Sequence, residues 1–182
     1  MRSVEQQLQA AIALASPLVP LDLSLRESRG CVAASDVTAA YPIPSFDGAA
    51  CDGYAVAADS VIGASDASTV TLGVVDVVNQ GYASDNEVTP GQAVQVGAGA
   101  LMPEGTNAVV AIAAVRRADD SSEVEIMQAV TAGSGVIRTG SHRQIGAAVV
   151  PAGTRLLDRA LAAVATAGHA RVSVHPQPRV VV

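Results

Sequence analysis

Aromatic residues are nearly missing from this chain. Its 182 residues include one Phe, three Tyr and no Trp, 2% in all, against a hydrophobic fraction of 49%, so a core has to be built from Val, Ala, Leu and Ile. Lysine is absent altogether. With arginine as the only strong base, the net charge is -6 and the isoelectric point about 4.9, which argues against a nucleic-acid surface, since phosphate binding needs clustered Lys and Arg. Arg116-Arg117 is the one adjacent basic pair, and Asp119-Asp120 close behind it reads as the rest of a solvated hairpin. The two cysteines, Cys31 and Cys51, show no CxxC spacing, so free thiols are expected. His142, His169 and His175 lack a paired metal-ligand spacing. No apolar run approaches the ~20 residues of a membrane helix, and the N-terminus lacks the charged-then-apolar pattern of a secretory signal. The expectation is a cytoplasmic protein with no membrane and no nucleic-acid partner.

The length accommodates one large domain or two small ones. At the start, Ser3 and Gln6 make a capping box, and Val4, Leu8, Ala11, Ile12 and Ala15 recur at helical spacing until Pro17 and Pro20 end the pattern. Leu21 to Ser28 reads as a short extended piece and a short helix closed by Gly30, and Cys31 to Val37 as a strand. From Ala55 onward short Val-rich runs alternate with Gly, Asn, Asp and Pro, the pattern of an all-β module. Strands are expected at Val70–Val78, Ala93–Gly97, Ala108–Val115 and Glu123–Val130, with loops at 79–92 and 116–122. Val149 to Thr154 gives a strand and turn, Asp158 caps a helix running to about Ala167 with Gly168 ending it, and His169–Val174 is a last strand. Helix, β-module, then helix plus strand predicts an α+β protein: a discontinuous α+β domain with an all-β barrel-like domain inserted in it.

One stretch gathers most of the unusual residues. Tyr41 to Val56 contains three of the four aromatics, and Pro42 and Pro44 forbid a helix and run the chain extended into a turn at Phe46-Asp47-Gly48. Asp52-Gly53 offers a second turn. Gly48-Ala49-Ala50 lets the backbone pass close to something, while Asp47 and Asp52 are presented on irregular chain, where chemistry often sits. The residue types alone are better served by a two-turn connection whose aspartates are solvated or bond their own turns. Gly97-Ala98-Gly99-Ala100 is in the same position: it could cradle a phosphate with backbone amides, but no Gly-Lys-Ser/Thr follows and no GxGxxG is completed, so it reads first as a tight β-turn.

The run Phe46-Asp47-Gly48-Ala49-Ala50-Cys51-Asp52-Gly53-Tyr54-Ala55-Val56 resembles the Phe-Asp-Asn-Ser-Ala-Met-Asp-Gly-Tyr-Ala-Val signature of the MoeA and gephyrin E-domain family, the molybdopterin molybdenumtransferases. Gly91 to Val96 and Pro103 to Val110 resemble that family's Gly-x-Ala-Val-x-Ile…Thr-Gly-Ala…Pro-x-Gly-Ala-Asp-Ala-Val-Val block. Val136-Ile137-Arg138-Thr139-Gly140 resembles its Val-Arg-x-x-Gly-Glu-Asp, and Gly153 to Leu156, Ala167-Gly168 and Pro178-Arg179-Val180 resemble its closing helix and the start of the next domain. The departures fall at chemically loaded positions. The threonine of Thr-Gly-Ala is Ala98, the aspartate of Gly-Ala-Asp is Asn107, Asn-Ser is Gly48-Ala49, the glutamate after Val-Val is lost within Ala111 to Ala114, and Glu-Asp after Gly140 is Ser141-His142.

The resemblance implies a place in molybdenum-cofactor biosynthesis, in which adenylylated molybdopterin is cleaved with a divalent metal and molybdate is inserted. It implies Asp52 as the catalytic carboxylate, Asp47, Gly53, Gly99 and Arg138 on the substrate side, Mg²⁺ and molybdate as cofactor and substrate, and a homodimer. Metal ligands stay unassigned, because Mg²⁺ takes one or two carboxylates and the others of this region are missing. The expected domains are 1–45 with 141–178, an inserted 46–140, and 179–182 as the start of a third domain, without which the segment is expected to be inactive. The other reading is a non-catalytic scaffold or molybdenum-cofactor binding module, favoured by the lost Thr, Glu and Asp.

Overall fold

Residues 2–117 and 122–181 are described by the structure, a computed structural model, so Asp119-Asp120 of the expected hairpin lie outside the described residues. In chain order the elements are α1 (Val4–Ile12), β1 (Leu21–Ser24), β2 (Val32–Ala33), β3 (Val37–Thr38), β4 (Gly48–Ala49), β5 (Gly53–Val56), β6 (Val70–Val78), β7 (Gln92–Val96), β8 (Ala108–Ala111), β9 (Val115–Arg116), β10 (Glu123–Ile126), β11 (Val136–Ile137), β12 (Ala148–Val150), α2 (Asp158–Thr166) and β13 (Arg171–His175). Single 3-10 turns lie at Ala58–Val61 and Ile112–Ala114. The fold is α+β. Two compact units divide the chain, one from Met1–Tyr41 with Gln144–Val182 and the other from Pro42–Arg143.

In the first unit β13 is the central strand of an antiparallel β1-β13-β2 sheet, with Leu21 opposite Val174 and Ala33 opposite Val174 on its other edge. A separate ladder joins β12 to β3. Cys31, Ala33, Val37, Val150, Leu156, Val164, Val172 and Val174 form one buried cluster, against which α2 lays Ala160, Leu161 and Ala163. The apolar positions of α2 thus recur at the three- and four-residue steps that put them on one face.

Several local expectations change here. Helix α1 has its capping box, with Ser3 Oγ accepting from the Gln6 amide and Gln6 Oε1 accepting from the Ser3 amide, but it ends at Ile12 and leaves Ala15 outside. Leu14 and Ala15 donate instead to carbonyls three residues back, the tightening that ends a helix with no packing to extend it. Leu25–Gly30 is a turn rather than a helix, closed by the Ser28 hydroxyl on the Leu25 carbonyl at 2.9 Å. The strand expected at Cys31–Val37 is two short strands split by a bend. Asp158 is the first helical residue of α2, not its cap, and its carboxylate pairs with Arg29 at 2.8 Å.

The second unit is built on a six-stranded barrel-like sheet of order β8-β5-β7-β6-β10-β9, in which only the β6–β7 pair is parallel. Tyr54 and Val56 of β5 point into a cluster with Leu72, Val110, Val124 and Ile126, whereas Ala55 joins Val78, Val94, Val96 and Val109 on the opposite face. All four β5 residues are therefore buried. A strand covered on both faces has no reason to alternate polar and apolar residues, and the alternation is correspondingly weak in the sequence. The long strand expected at Ala108–Val115 is broken by the 3-10 turn into β8 and β9, and β10 stops at Ile126.

Candidate functional site

The strand β4 holds the site together because it is paired along both edges. On one side Val136 and Ile137 of β11 face Ala49 and Gly48; on the other Gly48 is bridged to Leu101. The Ala49 amide donates to the Ala100 carbonyl at 2.9 Å, the Gly99 amide to the Ala49 carbonyl at 2.7 Å, and the Ala50 amide to the Gly135 carbonyl at 2.8 Å. The small run Gly48-Ala49-Ala50 is thus what lets the chain thread between two other segments. The bends sit at Pro44–Phe46 and Ala50–Asp52, so Gly48 and Gly53, expected in turns, both begin strands.

Each end of β4 carries one of the two aspartates. Asp47 turns to the β11 side, where Oδ2 accepts from Arg138 Nη1 at 2.6 Å and Oδ1 accepts from the Thr139 amide at 2.7 Å and its hydroxyl at 2.8 Å. The Thr139 amide above all, with the Arg138 guanidinium and the Thr139 hydroxyl, lowers its pKa to about 2. Asp47 is a clamp with its acceptors engaged. Arg138, held by it, keeps 55% of its side chain exposed.

Asp52 faces the turn after β7. Its Oδ1 accepts from the Ala98 amide at 2.7 Å, and Oδ2 takes no hydrogen bond from the described residues. The side chain is exposed. Ala100 donates to the Gly97 carbonyl at 2.9 Å and Gly99 has φ 83°, so Gly97–Ala100 is the tight turn its sequence suggests, with Asp52 docked on it. Ala98 is exposed too and brings no donor other than its backbone.

Gly53 is buried between β7 and β8, and a Cβ there would stand 2.1 Å from the Val110 carbonyl oxygen. Its visible role is to admit neighbouring backbone rather than to touch a ligand. Among the described residues, no group of three or more His, Cys, Asp and Glu is placed to hold a metal ion. Cys31 and Cys51 are free thiols. No helix among the described residues is long and apolar enough to cross a membrane. A cleft of about 740 Å³ in the first unit, bordered by Val149, Pro151, Thr154, Arg155, Asp158 and Arg159, holds none of the catalytic or substrate-side residues expected from sequence.

Three contributors escape the sequence reading. Thr139 supplies two of the three hydrogen bonds to Asp47, Gln80 Nε2 donates to the Ala98 carbonyl, and Asn107 Oδ1 accepts from the Ala58 amide at 2.8 Å to cap the 3-10 turn. Thr139 had a signal in its place beside Arg138 and Asn107 in its place among the departures, while Gln80 had none. Asn107 shows why one departure is mild, since an amide oxygen accepts that bond as a carboxylate would. Arg116 and Arg117 are exposed at the end of β9, which pairs antiparallel with β10; Arg116 meets its cross-strand partner Glu125 at 3.2 Å, and Arg117 Nη1 donates to Gln95 Oε1 at 2.8 Å and to the Tyr54 hydroxyl at 3.3 Å.

Residues 2–168 match the family model described as the MoeA N-terminal region, domain I and II. The chain is 33% identical over 195 residues to molybdopterin molybdenumtransferase 1 of Mycobacterium tuberculosis (strain CDC 1551 / Oshkosh), covering 98% of this chain and 45% of that protein. It is 32% identical over 158 residues to molybdopterin molybdenumtransferase of Bacillus subtilis (strain 168), covering 86% and 37%. Among solved structures, the molybdopterin biosynthesis MoeA protein from Pyrococcus horikosii superposes with a TM-score of 0.83 at 28% identity, over 98% of this chain and 45% of that one. The chain spans less than half the length of these relatives. With the signature strand, the barrel-like sheet and a family match over nearly its whole length, the chain belongs to the MoeA family and corresponds to its N-terminal region.

Proposed function

We propose that this chain is the N-terminal portion of a molybdopterin molybdenumtransferase and acts in molybdenum-cofactor biosynthesis, where molybdate is inserted into adenylylated molybdopterin. The observation that carries this reading is the geometry of Asp52. It is an exposed carboxylate fixed through one oxygen to the Ala98 amide, with the other oxygen bonded by none of the described residues and placed to take a proton or a cation. Asp47 works indirectly, holding the exposed Arg138 where a guanidinium can meet an anionic substrate. Gly99 keeps the turn open to Asp52, and Gly53 supports it by letting β5 pack against β8.

The residues of this segment do not build a Mg²⁺ site by themselves. One carboxylate, with no acidic neighbour among the described residues placed to share a cation, falls short of what a hard divalent ion takes from protein. Molybdate and the adenylylated pterin are substrates, both anionic. We place the protein in the cytoplasm and expect it to work as a homodimer, supported by an α1 that buries no residue against its own chain and exposes Val4, Leu8 and Ile12.

A non-catalytic scaffold or cofactor-binding module is the second reading, favoured by Ala98, which offers the site no hydroxyl. Complementation separates the two. A chain joining these residues to the C-terminal portion of the Bacillus subtilis relative is expected to restore molybdenum-cofactor formation in cells lacking their own transferase. Failure by the wild-type fusion, with rescue by its Ala98→Thr variant, would favour the scaffold.

A further inference from the structure

The turn that docks Asp52 is held on more than one side. Its central peptide, between Ala98 and Gly99, is the unit whose reversal interconverts type I and type II turns. The N–H of that peptide donates to the Ala49 carbonyl at 2.7 Å, and its carbonyl accepts from the carboxamide of Gln80. The neighbouring N–H, that of Ala98, is the one given to Asp52.

Gln80 lies along the turn rather than touching it at one atom. A Cβ added at Gly97 would stand 3.3 Å from Gln80 Nε2, and one added at Gly99 would stand 3.7 Å from Gln80 Cγ. Register explains the meeting. Val78 of β6 is the parallel partner of Val96 of β7, so two residues further on Gln80 comes beside Ala98. Ala98 has only a methyl side chain, so its backbone partners, Asp52 at the N–H and Gln80 at the carbonyl, are what anchor it.

We infer that Gln80 is a positioning residue for Asp52: bonded to the Ala98 carbonyl and lying along Gly97 and Gly99, it holds in place the turn on whose Ala98 amide the Asp52 carboxylate is docked. This rests on the reading of Asp52 as the working carboxylate and names a residue that prepares it. Gln80 acts through the turn, by its bond to the Ala98 carbonyl.

Solvent-exchange NMR on the 182-residue chain tests it with three variants. Gln80→Met keeps the length of the side chain without a donor, Gln80→Lys keeps a donor, and Asp52→Asn gives the Ala98 amide shift without a carboxylate acceptor. In Gln80→Met the Ala98 and Gly99 amides are expected to exchange about fivefold faster, the factor carried by one net hydrogen bond. The Ala98 amide proton is expected to move toward its position in Asp52→Asn, and Gln80→Lys to recover both properties to within about twofold of wild type. Unchanged Ala98 and Gly99 exchange in Gln80→Met overturns the inference. So does equal acceleration throughout β5, β7 and β8, which would mark Gln80 as a general stabiliser. None of these readouts involves turnover, so failure of the proposed reaction and failure of the latch are seen separately.

Discussion

Asp52 and Ala98, forty-six residues apart in the chain, meet at 2.7 Å through a carboxylate oxygen and a backbone amide. The partner is main chain, so the contact survives the family's threonine becoming alanine. An asparagine oxygen accepts from the same amide, and the side chain is exposed, so Asp52→Asn should change unfolding free energy by less than about 0.5 kcal/mol. Urea unfolding of the two proteins checks this; a larger loss would give Asp52 a structural role.

Gly53→Ala should behave in the opposite way. The added methyl would meet the Val110 carbonyl oxygen at 2.1 Å, and that atom belongs to a paired strand that cannot rotate away. A loss of about 1–3 kcal/mol or more is expected from such overpacking, read as a lower urea midpoint at unchanged slope. An unchanged midpoint would mean that β5 and β8 are not in register as described.

The clamp at Asp47 makes a pH prediction. Its pKa is depressed in the folded protein to about 2, from an unfolded value near ~3.9, so its hydrogen bonds stabilise the fold fully above the unfolded value. That contribution is lost as pH falls through about 2. Partial exposure screens it, so the effect is expected to be small. Thermal unfolding from pH 5 to pH 2 should fall more steeply for wild type than for Asp47→Asn. Parallel curves would show the clamp to be energetically idle.

How much of this was legible in the sequence depended on where the information lay. The capping box of α1 and the strand β6 were readable because local residues decide them. The 46–56 stretch was readable as a place where backbone passes close, because only small residues allow it. What lay on the other side was not, since Gly99 and Gly135 come from distant parts of the chain. The Leu25–Gly30 turn misread as a helix because its hydrogen bonds include side chains of Ser24 and Ser28, which compete with helical pairing. Gln80 was invisible for a similar reason: its partner is fixed by the parallel register of β6 and β7, which no local pattern specifies.

The exposed face of α1 predicts association. A helix of 9 residues is marginal alone in water, and this one shows Val4 at 89%, Leu8 at 55% and Ile12 at 55% exposure. Light scattering at micromolar concentration should give about twice 18.2 kDa, and Leu8→Glu should return the mass of one chain. A single-chain mass for wild type at high concentration would remove the dimer.

The most direct test of the proposed function is AMP release from adenylylated molybdopterin with Mg²⁺ and molybdate. It is measured for this chain alone and for this chain joined to the C-terminal portion of the Mycobacterium tuberculosis relative. The joined protein should turn over, and Asp52→Asn should reduce that rate by about 100-fold or more, as loss of a working acid–base carboxylate does. The 182-residue chain should release no AMP, with or without Ala98→Thr. Turnover by the unjoined chain, or joined turnover indifferent to Asp52→Asn, would contradict the account.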